Sequence, residues 1–231
     1  MAGASIPYPQ QTAPMAPVIG PEFVAPYGVD LAFVRKVRIL FQQEKYEVLG
    51  VDGNVMFKIK SNLFLNRDRI LLLDAADNPV ATLQQNLFSL HSKWKVFRGK
   101  STDSKDLLFR LKKASLFGFK TKLNVYLAAN TKEEVCDFYM DGSWSRKSCM
   151  VHANGGGVGV GGGSESSAIV AQMHKKHMAG KTAAGKVNFW MAVHPNVDYA
   201  FIVSLVVILE DIHRQRSNQE MGGNMVDMGN T

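Results

Sequence analysis

Tyr199-Ala-Phe-Ile-Val-Ser-Leu-Val-Val-Ile-Leu209 is the stretch on which the fold turns. Pro195, Asn196 and Asp198 precede it; Glu210, Asp211, His213, Arg214 and Arg216 follow. As a helix the run spans about 16 Å, roughly half of a bilayer core, so it is no transmembrane segment. Its β-branched residues would also suit a strand. Its length, the Asn/Asp cap candidates and the absence of polar alternation point instead to a helix over residues 197–214. Such a helix is apolar on nearly every face, and it must therefore be surrounded by protein.

Working outward, the rest of the chain is repeatedly strand-like. Short apolar-rich runs occupy Val34–Phe41, Tyr46–Val51, Val55–Lys60, Arg69–Leu73, Val80–Gln84 and Trp94–Arg98. Others follow at Leu107–Lys112, Phe119–Tyr126, Val135–Met140, Lys147–Val151, Ala168–Met173 and Val187–His194. Asp52-Gly53-Asn54 and Asp77-Asn78-Pro79 separate neighbouring runs with residues that suit hairpin turns. About a dozen short strands with regular turns predict an all-β sandwich or barrel. The natural place for the apolar helix is inside a barrel.

The chain has 231 residues, 46% apolar and 20% charged, enough to build a closed core without covalent staples. Six of its 8 prolines lie between residues 7 and 26, so residues 1–30 are expected to be an extended, disordered tail. Residues 154–164 read as a flexible glycine-rich loop, residues 31–216 as the barrel domain, and residues 217–231 as a second loose tail. The chain holds 2 cysteines, Cys136 and Cys149, which excludes a secreted disulfide framework. No signal-peptide pattern, glycosylation acceptor or lipidation signal is present. The expectation is an intracellular protein, cytoplasmic with plasma-membrane association and with the nucleus also open to it.

Several segments together resemble the plant LURP-one-related family. They are Leu71-Leu-Leu-Asp-Ala-Ala-Asp-Asn-Pro-Val80, Leu90-His-Ser-Lys-Trp-Lys-Val-Phe-Arg-Gly99, Cys136-Asp-Phe138 and Gly142-Ser-Trp144. Ser148-Cys149, Ile169-Val-Ala-Gln-Met-His174 and Asn196-Val-Asp-Tyr-Ala-Phe201 complete the series. The resemblance runs from about Ala25 to Arg216 in order. It implies a tubby-like closed barrel of twelve antiparallel strands around a central C-terminal helix. It also implies kinship with tubby proteins and phospholipid scramblases, and a role in plant defence signalling. It supplies no reaction.

Charge gives the candidate site. The chain carries a net +7 at pH 7 and a pI near 9.4, which favours polyanionic partners. Between residues 91 and 122, ten Lys and Arg face only Asp103 and Asp106, an excess larger than that of the whole chain. Alternation sends Phe109, Leu111, Phe119, Thr121, Leu123 and Val125 to the core. It leaves Arg110, Lys112, Lys120 and Lys122 outside. Lys93, Lys95, Arg98, Arg110, Lys112, Lys120 and Lys122 are therefore the candidate anionic-lipid-binding residues, with phosphoinositide or another anionic membrane surface as the expected partner. An ordinary solvated barrel exterior is the plainer reading of the same charges. Nucleic acid could use the same face, but no helix-turn-helix, zinc-finger or RNP-type pattern supports it.

The remaining motifs carry less. Gly157-x-Gly159-x-x-Gly162 has the spacing of a dinucleotide fingerprint without its strand–helix setting. Gly180-Lys181-Thr182 lacks the first glycine of a phosphate loop, since Lys175 stands there. His174 and His177 would point to opposite faces of a strand, and no further ligand completes a metal site. Cys136 and Cys149 lie symmetrically about Gly142-Ser143, where a tight hairpin would oppose them; as small core residues they would stay reduced. No catalytic elbow, zinc-protease motif or acid/base pair is visible, and a barrel filled by a helix leaves little room for substrate. The expectation is a non-enzymatic protein without cofactor or metal that reads anionic membrane. The alternative is a transcriptional or protein-interaction regulator that never touches lipid. Lipid scrambling is disfavoured by the lack of a spanning helix.

Overall fold

In a computed structural model the described residues are 15–35, 44–61, 68–86, 93–114, 121–143, 148–154, 167–174 and 187–226. The first strands are β1 (Val29–Arg35), β2 (Glu44–Leu49), β3 (Val55–Ser61), β4 (Arg69–Asp74), β5 (Pro79–Asn86) and β6 (Lys93–Arg98). They are followed by β7 (Leu107–Lys113), β8 (Thr121–Leu127), β9 (Phe138–Ser143), β10 (Ser148–Ala153), β11 (Ala168–His174) and β12 (Val187–Val193). Each strand pairs antiparallel with its neighbours in sequence, and β1 pairs with β12 to close the barrel. Closure removes every free strand edge. The helix α1 (Tyr199–Val226) follows β12.

Alternation puts one residue in two inside. In β7, Phe109 and Leu111 are buried while Arg110 and Lys112 are not; in β8, Thr121, Leu123 and Val125 are buried while Lys122 is exposed. The inward residues of the strands and residues Ala200 to Leu209 of α1 form one core. Phe201 stands edge-on to Phe109, with ring centroids 5.1 Å apart, and tilted against Phe138 at 4.9 Å. Ser204, the one polar residue in the run, returns its hydroxyl to the Ala200 carbonyl at 2.9 Å, so its burial leaves no unmet donor. Trp94 is core, as its alternation with Lys93 and Lys95 predicts. A smaller cluster of Ala32, Val34, Leu49 and Trp190 lies on the opposite parity, on the outer side of β1, β2 and β12.

Strand ends shift by one to three residues from the sequence expectation, most in β9, which replaces the expected Val135–Met140, and three differences are larger. First, β1 begins at Val29, whereas Val34–Phe41 was the expected strand; residues 36–43 lie outside the described set. The surrounding prolines hid the alternation of Val29, Leu31 and Phe33. Second, the expected disordered tail over residues 1–30 is replaced from Val18 onward by a packed segment. Ile19 is buried among the core residues. Asp198 Oδ2 accepts the backbone N–H groups of Val18 (3.1 Å), Ile19 (2.6 Å) and Gly20 (3.1 Å). Proline works against long ladders and helices, but a carboxylate brought from the far end of the chain satisfies this backbone just as well. Third, α1 runs to Val226 rather than stopping at 214, so residues 217–226 are helical rather than a loose tail. Residues 1–14 and 227–231 lie outside the described set, as do residues 155–166, which include all of the expected glycine-rich loop but Asn154.

Asp198 is also the N-cap of α1, its Oδ1 accepting the Phe201 N–H at 3.0 Å. Burial pushes the Asp198 carboxyl up, and the N–H donors of Phe201, Ile19, Gly20 and Val18 oppose that shift. At the other end of the barrel α1 turns polar as it emerges. Tyr46 Oη donates to Glu210 Oε1 at 2.5 Å, and burial together with Glu210 raises its hydroxyl pKa. The Gln85 and Gln215 amides pair with one another at 3.1 and 2.8 Å. Gln215 and Arg214 both reach the buried Asp211 carboxylate, at 2.7 and 2.5 Å.

His213 sits 3.2 Å from Thr121 Oγ1, and its pKa is lowered to about 4 by burial first, then by Lys113 and Arg216. Between that value and the ordinary histidine value of about 6.5, the unfolded chain binds more protons than the folded one. Stability from this group is therefore full above pH 6.5 and is lost as pH falls toward 4. Discounted for partial solvent screening, the loss is about 1–2 kcal/mol. Denaturant midpoints measured between pH 4 and 7 are expected to fall with acid, and the His213→Gln variant to fall less. Parallel curves for the two proteins would remove His213 from the account.

Candidate functional site: an outer basic face

The cross-strand register decides which basic residues meet. Lys93 lies opposite Lys112, and Lys95 lies opposite Arg110, on the adjacent strands β6 and β7. All four occupy outward positions, because Trp94, Val96, Phe109 and Leu111 take the inward ones. Like charges directly opposite repel. Two counter-measures are visible. Lys112 Nζ lies over the Tyr126 ring, 5.2 Å from its centroid. Glu133, in the connection between β8 and β9, spans the β7 pair: its Oε1 is 2.6 Å from Arg110 Nε, and its Oε2 contacts Lys112 Nζ.

Glu133 is placed by the backbone around it. Its φ of 54° is in the left-handed region, which a non-glycine residue adopts at a cost. Asn130 Oδ1 accepts its N–H at 3.1 Å, while the Asn130 amide donates to the Val135 carbonyl (2.8 Å) and Asp137 Oδ2 (2.9 Å). Arg110 also donates to the Asn130 carbonyl at 2.8 Å. Burial pushes the Glu133 carboxyl up, but Lys112 and Arg110 outweigh it, so the group stays below its ordinary value. Lys93 and Lys95, in contrast, are exposed and form no ion pair with a described residue.

The other expected residues fall elsewhere. Lys122 is exposed on β8, with Asp141 rather than a basic residue opposite it on β9. Its ammonium lies 4.7 Å from the Tyr139 ring centroid, and that ring stacks on His152 at 4.5 Å with 6° between planes. Lys122 stands one outward position along β8 from Asn124, the residue opposite Lys112, so it is a diagonal neighbour of the β6–β7 block and not a member of its cross-strand pairs. Arg98 serves the fold: one guanidinium nitrogen donates to the Ile19 carbonyl at 2.6 Å, which ties down the same segment that Asp198 holds. Lys120 lies outside the described residues. Of the seven expected residues, six are described: a compact four-residue block, Lys122 diagonal to it, and Arg98 bonded to the Ile19 carbonyl.

Cys149 faces Gly142, not Cys136, so the hairpin is centred between Ser143 and Ser148 rather than at Gly142-Ser143. Gly142 is needed within β9, since a Cβ there would meet the Ser148 carbonyl oxygen at 2.2 Å. Both thiols are free, and burial pushes the Cys149 thiol up to about 12, which keeps it unreactive. His174 is 3.4 Å from Asp30, and His177 lies outside the described residues. Among the described residues, no three His, Cys, Asp or Glu side chains gather to hold a metal. No helix among them is long and apolar enough to cross a membrane.

Glu133 and Asp198 were missed as partners by sequence reasoning. Lys132-Glu133-Glu134 follows ten residues beyond the basic stretch; its acidic pair is a sequence signal for a counter-ion, though not for the place of Glu133 over β7.

Comparison with known proteins matches this architecture. The family model described as LURP-one-related covers residues 29–211. Protein LURP-one-related 10 of Arabidopsis thaliana is 48% identical over 201 residues, spanning 87% of this chain and 98% of that protein. Protein LURP-one-related 15 of the same plant is 45% identical, spanning 90% of this chain and 94% of its own length. Protein LURP1 of Arabidopsis thaliana is 36% identical, spanning 85% and 90% respectively. An X-ray structure of an Arabidopsis thaliana protein superposes with a TM-score of 0.64 at 41% identity, covering 85% of this chain and 98% of that one. A closed twelve-stranded barrel around an apolar C-terminal helix, matched by relatives over nearly their whole length, makes this chain a member of the LURP-one-related family.

Proposed function

We propose that this LURP-one-related chain is a non-enzymatic module of plant defence signalling that docks reversibly on anionic, phosphoinositide-bearing membrane. The β6–β7 block provides the contact, working in the cytoplasm and at the plasma membrane. The observation that carries this reading is the register, which sets Lys93 beside Lys112 and Lys95 beside Arg110 on one outer surface. Near an anionic leaflet each exposed cation adds about 1 kcal/mol of attraction, screened by salt. Lys93 and Lys95 supply that attraction directly, since neither is already neutralised by a described partner.

The test is co-sedimentation with neutral, phosphatidylserine and phosphoinositide liposomes across a salt series. Wild-type protein is expected to bind phosphoinositide liposomes at low salt and to leave them as salt rises. Lys93→Glu/Lys95→Glu is expected to weaken binding by at least tenfold, because four charge units are removed from the contact. Equal binding to neutral and anionic liposomes would end the lipid reading.

A second reading, a regulator acting through protein partners alone, is favoured by one observation. Lys122 lies over the Tyr139 ring beside the basic block, and the largely buried His152 ring stacks on Tyr139 and holds it, so that Tyr139 offers a partner rigid contact area. Full activity of the Lys93→Glu/Lys95→Glu protein in plant cells would select it.

A further inference from the structure

Glu133 occupies, within the protein, the position an incoming anion would take. Its two carboxylate oxygens bridge Arg110 and Lys112, with Oε1 2.6 Å from Arg110 Nε and Oε2 on Lys112 Nζ. Two oxygens shared between a guanidinium and an ammonium are also the arrangement in which a phosphate monoester binds such a pair. The pair is not an exposed accident of long side chains: Glu133 is largely shielded and Arg110 is further held by the Asn130 carbonyl at 2.8 Å. The backbone at Glu133 is held in the left-handed region, φ 54°, to deliver that side chain. Strain maintained at one residue by its surroundings is a mark of a constrained site.

We propose that Glu133 is a built-in competitor for this seat: it holds the Arg110–Lys112 pair closed, and a phosphate-bearing ligand opens it by displacing the Glu133 carboxylate. The exchange replaces one anion by another on the same two cations and breaks no covalent bond. Lys93 and Lys95 stand opposite Lys112 and Arg110 and add attraction for a dianionic phosphate that a single carboxylate cannot use. Weak anions therefore leave the seat closed, and highly charged phosphate groups open it. The latch rests on the anion-binding reading of the β6–β7 block and adds its regulation.

The connection should survive loss of the Glu133 side chain. Asn130 and Asp137 hold it through the Val135 carbonyl and the Leu127 N–H, at 2.8 Å each, without using the carboxylate. Glu133→Gln removes the charge at almost constant shape. Glu133→Asn does so with a residue that accepts positive φ readily, so that one variant is expected to fold should the other not. Both would be titrated with phosphatidylcholine vesicles carrying phosphoinositide, and separately with soluble inositol trisphosphate, beside wild-type protein and Lys93→Glu/Lys95→Glu.

The latch requires the uncharged variants to bind roughly fivefold tighter than wild type, about the effect of one charge at such a surface, with the gain shrinking as salt rises. Gain on both ligands assigns the seat to the phosphate group itself; gain on vesicles alone assigns it to the headgroup in its membrane. Wild-type binding with no gain in either variant overturns the latch and leaves membrane docking standing. No binding by any of the proteins overturns docking, and the latch with it.

Discussion

Phe201→Ala is expected to cost about 3–5 kcal/mol of folding stability, the range for emptying a fully buried aromatic site. Phe201 is buried on the first turns of α1 and touches strands that lie apart in the barrel, through Phe109 of β7 and Phe138 of β9. Its removal leaves a hole that neither wall can fill, because the strands are held at fixed spacing by closed pairing. Denaturant unfolding followed by far-UV circular dichroism measures the effect. The midpoint should fall at an unchanged slope, and Phe201→Leu should recover more than half of the loss. A loss below 1 kcal/mol would mean that the helix does not pack as the core of the barrel. The consequence for function is direct: a barrel whose axis is filled by Ala200 to Leu209 has its chemistry on the outside, where the basic block lies.

Asp198→Ala is expected to cost about 3 kcal/mol, and its effect should be concentrated at one end of the molecule. One carboxylate caps α1 through the Phe201 N–H and also accepts the N–H groups of Val18, Ile19 and Gly20. Alanine leaves those donors buried without an acceptor, and loss of the cap alone accounts for about 1 kcal/mol. Hydrogen exchange is expected to rise at residues 18–25, and proteolysis to cut there, before the barrel strands respond. Asp198→Asn keeps one acceptor oxygen and should lie between. Unchanged exchange at residues 18–20 would show that the segment is held by other contacts, Arg98 on the Ile19 carbonyl first among them. Since Arg98 belongs to this clasp, its replacement should behave as a stability variant and leave the β6–β7 block's affinity for anions intact.

Local pattern carried much of this molecule. The run from Tyr199 to Leu209, apolar on nearly every face, demanded enclosure, and alternation in β7 and β8 separated Phe109, Leu111, Leu123 and Val125 from Arg110, Lys112 and Lys122. Side-chain direction along a strand has period two, and an apolar helix has one stable environment, so both follow from sequence without knowledge of neighbours. What pattern cannot supply is which outward residues lie side by side. That depends on register and on loops that fold back, which are set by closure of the whole barrel. Register brought Lys93 and Lys95 to Lys112 and Arg110 and put Asp141 opposite Lys122. A loop outside the strand pattern laid Glu133 over the β7 pair, and contacts across some 178 to 180 positions turned residues 18–20 of the proline-rich segment into the clasp on Asp198. The sequence by itself determined the barrel, its buried helix and the sign of its outer face. Only the tertiary structure decided which of those charges remain open to a partner, because neutralisation acts over a few ångströms between residues distant in the chain.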